Sequence, residues 1–288
     1  MQDLIIGKDL IIGAYTNYDW NKIKYWVNSI NRSGFDGYKM IIAFNSDKDT
    51  VKRLVDSGFS VIAFNENENG YYYNNTKIPI HVERFFHIWD VLSKIKEKIR
   101  YVITTDVKDV VFQENPSKRI EEYLGFQSKY NLMAASESMR YMDEPWGNQN
   151  LHESFGAYFH EKYKTNLIYN VGVIAGDFEY VRDLCLQIFQ TSINRPIPIV
   201  DQAVYNFLLW QKPISDITMK LDSESGWAAQ LGTTMDPTKI GAFKPFLTEP
   251  SPIMIDDIVK TNGLIPYCIV HQWDRVPALH DMIERKYG

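Results

Sequence analysis

Cysteine is scarce in this chain: Cys185 and Cys268 are the only two in 288 residues, and each sits in an apolar run. A disulfide-held scaffold is thereby excluded, and both thiols are expected to be buried and reduced. Long hydrophobic stretches are missing as well. The runs 4–6 and 10–14 are split by Lys8 and Asp9, too brief for a signal sequence or a bilayer span, so a soluble, cytoplasmic protein is expected. Positive charge is not in excess: 31 Lys and Arg face 36 Asp and Glu, a net charge of -5. No global field draws such a chain to a phosphate backbone, which argues against nucleic acid as a partner. No G-x-G-x-x-G follows a strand, so a Rossmann dehydrogenase is excluded. Repeats, low-complexity blocks and Pro-, Gly- or Ser-rich linkers are also lacking, and one domain over 1–288 is expected.

What is present is ordinary globular composition, 45% hydrophobic and 23% charged, with many aromatics: 7 Trp and 18 Tyr. These either fill a core or stack on flat ligands and sugar faces. Two glycosylation sequons, Asn31-Arg32-Ser33 and Asn74-Asn75-Thr76, matter only in a secretory compartment.

Periodicity sets out the elements. Residues 10–15 suit a buried strand, and Asp19 can cap a helix whose Trp20, Ile23, Trp26, Val27 and Ile30 share one face. Gly34 ends it. Strands at 38–44 and 59–64 flank a short helix at 50–57. Parallel neighbours need such helical crossovers, so this order implies a parallel sheet. Residues 66–79 are polar and expected as a loop. A helix from about Val82 precedes a buried strand at 100–105. Further strands are expected at 132–136, 167–175 and 267–270, with helices at 178–191, 200–210 and from Pro277. Residues 226–252 are expected to be irregular and to lie over a site.

The most informative segment is the strand that stops at Asp106, with Asp109 three residues on. Ligands collect at the carboxyl ends of strands in open α/β sheets. Two carboxylates there can hold a hard divalent cation, whose free positions take phosphate oxygens. The other reading of the pair is a turn cap at Asp106 and an ion pair of Asp109 with Lys108 or Arg119.

Here the sequence resembles the GT-A class of nucleotide-sugar-dependent glycosyltransferases, whose central strand ends in Asp-x-Asp and binds Mn²⁺ or Mg²⁺ with the donor diphosphate. The segment Asp106-Val-Lys-Asp109-Val-Val-Phe-Gln-Glu-Asn-Pro116 is similar to that of small viral, bacterial and plant families with Asp-x-x-Asp spacing and a Val-Phe-Gln tail. Lys108 takes the place of the usual second Asp. Either Asp109 supplies the carboxylate through a tighter turn, or one ligand is indirect. The resemblance covers roughly residues 10 to 275. It implies an open, mostly parallel sheet flanked by helices, with a nucleotide-binding half over about 1–115 and a donor-sugar and acceptor half over about 116–288.

It also implies roles. Asp106, Asp109 and His271 would hold Mn²⁺ or Mg²⁺. Tyr15, Thr16 and Arg84 would meet the nucleotide, and Arg275 its phosphates. Asn170-Val-Gly172 would line the donor-sugar pocket, where Gly172 permits close approach of a ligand. Asp201 and Gln202, opening a helix, would face sugar hydroxyls near the anomeric carbon. Glu137 would join them in catalysis, and Trp146 and Asn150, after the 132–136 strand with Tyr141, would grip the acceptor or donor sugar. Structural readings stand beside these: Asp201 as a first-turn acid, Trp146 in the core, Arg84 as a surface charge. Residues 226–234 would close over the donor.

The implied activity is transfer of a sugar from a nucleotide sugar, UDP by commonest usage, to a saccharide or other hydroxyl. Retention is favoured because the Asp-Gln pair resembles retaining families. A catalytically inactive sugar- or nucleotide-binding protein is one alternative, kept open by Lys108. A sugar nucleotidyltransferase is the other, although the turn 15–19 lacks the glycines of a phosphate loop.

Overall fold

The computed structural model describes residues 7–64, 72–73 and 76–288. The apolar run 4–6, residues 66–71 of the expected loop and Asn74-Asn75 of the second sequon lie outside the described residues. Strand β1 (Lys8–Thr16) buries Leu10, Ile11 and Ile12 completely. Consecutive buried positions point to opposite faces, so the strand must be covered on both sides. Helix α1 (Trp20–Arg32) provides part of that cover: Asp19 caps it by accepting from the Lys22 amide, and Ile23, Trp26, Val27 and Ile30 turn inward. Strand β2 (Tyr38–Phe44), helix α2 (Lys48–Asp56, capped by Asp47) and strand β3 (Ser60–Phe64) extend the parallel series. The two-residue strands β4 (Tyr72–Tyr73) and β5 (Thr76–Lys77) pair with each other. Helix α3 (Ile80–Lys94) then leads into β6 (Ile99–Thr105), which lies parallel to β1.

The second half begins with β7 (Val110–Phe112) and α4 (Pro116–Leu124), followed by β8 (Leu132–Arg140), α5 (Pro145–Tyr163) and β9 (Leu167–Asp177). Helices α6 (Phe178–Ser192), α7 (Asp201–Leu209) and α8 (Ile214–Ile217) precede β10 (Thr218–Leu221). Strand β11 (Ala228–Gln230), the short helices α9 (Leu231–Thr234) and α10 (Ile240–Phe243), the hairpin β12 (Ile253–Ile255) and β13 (Ile258–Lys260), strand β14 (Ile269–His271) and helix α11 (Pro277–Tyr287) complete the chain. The central sheet runs β10-β8-β9-β6-β1-β2-β3, with β9 antiparallel to both neighbours and every other pair parallel. This is an open, mostly parallel α/β sheet flanked by helices. A second sheet, β11-β14-β7, sits against its end. Both cysteines are free and buried. No described helix is long and apolar enough to cross a membrane.

Several elements escape the sequence pattern. Helix α5 carries no single apolar stripe and is interrupted at Gly156, whose φ of 78° and ψ of 170° are not helical. Strand β8 outruns its expected end at Ser136 and continues to Arg140, with shifts of register against β9 and a left-handed φ of 59° at Ser138. Residues 226–234 are not a movable cover: Trp227, Ala229 and Leu231 are at most 1% exposed, and β11 is paired to β14. A segment that forms core cannot swing over a ligand without breaking that core, which corrects the lid expectation.

Besides apolar packing, a buried hydrogen bond joins α1 to the central sheet, from the Trp26 indole N–H to the Thr105 hydroxyl at 2.8 Å. Thr105→Val keeps the shape but strands the indole donor. A loss of about 1–3 kcal/mol is expected in urea unfolding, and no change in midpoint would show that the bond contributes nothing.

Candidate active site

The site forms where the two sheets meet. The last residue of β6 is Thr105, and the next amide, of Asp106, donates to the Gly172 carbonyl of β9 at 2.8 Å. The chain then passes Val107 and Lys108 to Asp109, whose carbonyl accepts from the Gln272 amide at 2.8 Å. Val110 is the register partner of His271 in the antiparallel pair of β7 and β14. That pairing carries the C-terminal imidazole to the two aspartates. One ligand atom from each of Asp106, Asp109 and His271 lies within 4.8 Å of the others. His271 Nε2 is 3.5 Å from Asp106 Oδ2 and 3.6 Å from Asp109 Oδ1. Lys108 is drawn off by Asp274, 2.9 Å from its ammonium, so Asp109 pairs with neither Lys108 nor Arg119.

Two hard carboxylate oxygens and one imidazole nitrogen suit Mn²⁺ or Mg²⁺. The surroundings fit such an ion. A Cβ on residue 172 would stand 2.5 Å from His271 Cε1 and 2.7 Å from Asp106 Oδ2, so only glycine leaves the three ligands their common space.

Beside this cluster a half-buried guanidinium ties two acids together. Arg84, on α3, pairs with Asp106 and, at 3.2 Å, with Asp201 at the start of α7. It is not a surface charge, for its side chain is only 14% exposed. Burial pushes the Asp106 carboxyl up, but Arg84 and His271 outweigh it and hold the group well below the usual carboxylate range. Asp201 and Asp109 go the other way, because burial prevails over their cationic neighbours.

A second network lies across the cleft. Glu137 Oε1 accepts from Asn170 Nδ2 and from Gln202 Nε2, both at 2.6 Å. The amide oxygens of those residues accept from the backbone of Gly172 and Val171, at 2.7 and 2.8 Å. With their oxygens so engaged, both amides must turn their N–H groups to Glu137. Burial raises the Glu137 carboxyl against these two donors. The left-handed turn at Ser138, held by a 2.9 Å bond from its hydroxyl to Glu249, aims the preceding glutamate inward.

Both networks and the cation cluster line one cleft of about 440 Å³. The structure brings together in it Arg84, Asp106, Asp109, Glu137, Asn170, Gly172, Asp201, Gln202, His271 and Arg275, with Tyr141 and Trp146. Trp146 is 52% exposed, which rules out a core role. Three expected residues fall outside the lining. Tyr15 is 3% exposed, with its hydroxyl 2.6 Å from Ser46, so its ring offers no open face to a base. Thr16 receives a bond from Asn17 Nδ2. Asn150 is buried and donates to the Ile199 carbonyl at 2.7 Å. Conversely, His81, Glu144, Lys239 and Gln272, to which sequence reasoning assigns no role, all line the cleft. Only Gln272 carried a signal, its place beside His271.

Solved structures share this fold. The chain aligns over its whole length with 51% of a structure described as WbbM bifunctional glycosyltransferase, with a TM-score of 0.60 and 12% identity. It therefore spans about half the length of that chain. It also aligns over 92% of its length with 97% of mouse xyloside xylosyltransferase 1, with a TM-score of 0.55 and 15% identity. The architecture is thus the GT-A fold of glycosyltransferases. No protein-family model and no curated protein sequence matches the chain.

Gly172→Ala places a methyl group between His271 and Asp106. Overpacking of this kind costs about 1–3 kcal/mol, to be read in urea unfolding, and an unchanged midpoint would contradict the crowding around residue 172.

Proposed function

We propose that this protein is a metal-assisted glycosyltransferase that moves a sugar from a nucleotide sugar, UDP-linked by preference, to a saccharide or other hydroxyl acceptor. The convergence of Asp106, Asp109 and His271 on the floor of a cleft in a GT-A fold carries this reading. These three residues hold Mn²⁺ or Mg²⁺, which when bound neutralises charge on the departing diphosphate. Arg275 adds a guanidinium at the same wall and clamps a phosphate. Its side chain reaches over Gly232, where a Cβ would stand 2.6 Å from Nη1.

Asp201, Gln202 and Asn170 orient the transferred sugar, with Glu137 bracing both amides. Trp146 presents a half-exposed indole against which a pyranose face packs. Residues 1–115 supply the nucleotide side and residues 116–288 the sugar and acceptor side.

A retaining outcome fits the charge pattern. Inversion needs a carboxylate free to take the acceptor proton. Each acid of the cleft already has a partner in this reading: Asp106 and Asp109 in the cation site, Asp201 at Arg84, Glu137 at two amides, and Glu144 at the Gly147 amide. The leaving phosphate oxygen is then the base at hand.

Asp109→Ala should abolish Mn²⁺-dependent turnover of UDP-sugars while far-UV circular dichroism stays as in the wild type; retained turnover would remove Asp109 from the site. Proton NMR of the released sugar or product gives the anomeric configuration at first formation. The donor's own configuration is expected, and the opposite anomer would assign inversion.

A further inference from the structure

His271 has two ring nitrogens, and the cleft uses only Nε2. The other, Nδ1, lies 2.7 Å from Oε1 of Gln230. Gln230 is 2% exposed, does not line the cleft, and is the register partner of His271 in the parallel pair of β11 and β14. Its own backbone carbonyl is taken by the Thr234 hydroxyl, which anchors the strand end. Its amide nitrogen has no hydrogen-bond partner among the described residues.

The orientation of this one amide decides what Nε2 can be. With Oε1 toward the ring, the proton of neutral imidazole sits on Nδ1 and Nε2 keeps its lone pair for a cation. With the amide turned over, Nδ1 would accept, and the ring proton would sit on Nε2 facing Asp106 and Asp109. It would then stand in the cation's place.

We propose that Gln230 is a positioning residue of the cation site: it accepts from Nδ1–H and so holds His271 in the tautomer whose Nε2 is a ligand. The assignment rests on the cation reading given above. Partners behind a metal-bound histidine alter metal affinity by about 10- to 100-fold. Glutamate would make the same bond but add a buried negative charge behind two aspartates. Glutamine accepts without charge, and the unmet amide donor is the cost of that choice.

The test uses the full chain with Mn²⁺ alone, titrated calorimetrically without nucleotide. Gln230→Leu removes the acceptor and should lower Mn²⁺ affinity at least tenfold, with the metal-free protein still unfolding cooperatively in urea. Gln230→Glu, which can only accept from the ring, should bind at least as tightly as the wild type. Equal affinity in the wild type and Gln230→Leu would overturn the role of Gln230 and leave the cation site standing. A wild type that binds no Mn²⁺, or binding that Asp109→Ala leaves intact, would overturn both. Should Gln230→Leu fail to fold, Gln230→Glu decides alone, and an affinity more than tenfold below the wild type overturns the proposal.

Discussion

Repulsion between carboxylates crowded into one cleft, buried or half-buried, is the constraint around which this molecule is organised. Two such charges about 4 Å apart cost about 4 kcal/mol at an effective dielectric of about 20. The cleft gathers Asp106, Asp109, Glu137, Glu144 and Asp201. Arg84 lies between Asp106 and Asp201 and offsets part of that cost. His271 faces Asp106 and Asp109, and burial, which disfavours a charged imidazole, is outweighed there by the two acids, so its pKa is raised. Arg84 pairs with none of Asp109, Glu137 and Glu144, so positive charge stays short on that side of the cleft.

Backbone geometry, more than side-chain choice, brings these charges together. Asp106 is fixed by its amide bond to Gly172, and Asp109 by the amide of Gln272. Gln272 itself sits at a left-handed φ of 63° just after β14. Its side-chain oxygen accepts from the Gly232 amide at 2.8 Å, so one residue links the helix α9 wall to the turn that carries Asp109. Side chains set on strand ends in this way are held more rigidly than side chains on free loops.

Much of the frame was legible in the sequence because its signals are local. The alternation of buried strands with capped, one-faced helices from β1 to β6 needs only neighbouring residues to recognise, and Asp106 at the end of an apolar run is such a signal. The segments that escaped depend on distant ones. β7 is three residues long and exists as a strand because β14 pairs with it. β11 is a strand because of the same partner, although its surroundings in Gly, Thr and Pro look like a loop. Arg84 looked equally like a surface charge, since its burial comes from Asp201 on another helix. Tyr15 failed as a base platform for a related reason: the residue type was apt, but alternation along β1 turned it into the core.

The second sheet sets a timetable for biosynthesis. Lys108 and Asp274, which meet beside it, are 166 residues apart in the chain, and β14 is the last of the described strands. The parallel series from β1 to β6 can pair while the chain is still growing, yet β7 and β11 must wait for their common neighbour. Loop closure over so long a span is slow relative to local pairing. Asp109 therefore meets its imidazole only after the long stretch of chain that separates them has been made, and the grouping of the two acids with His271 is a late event in folding.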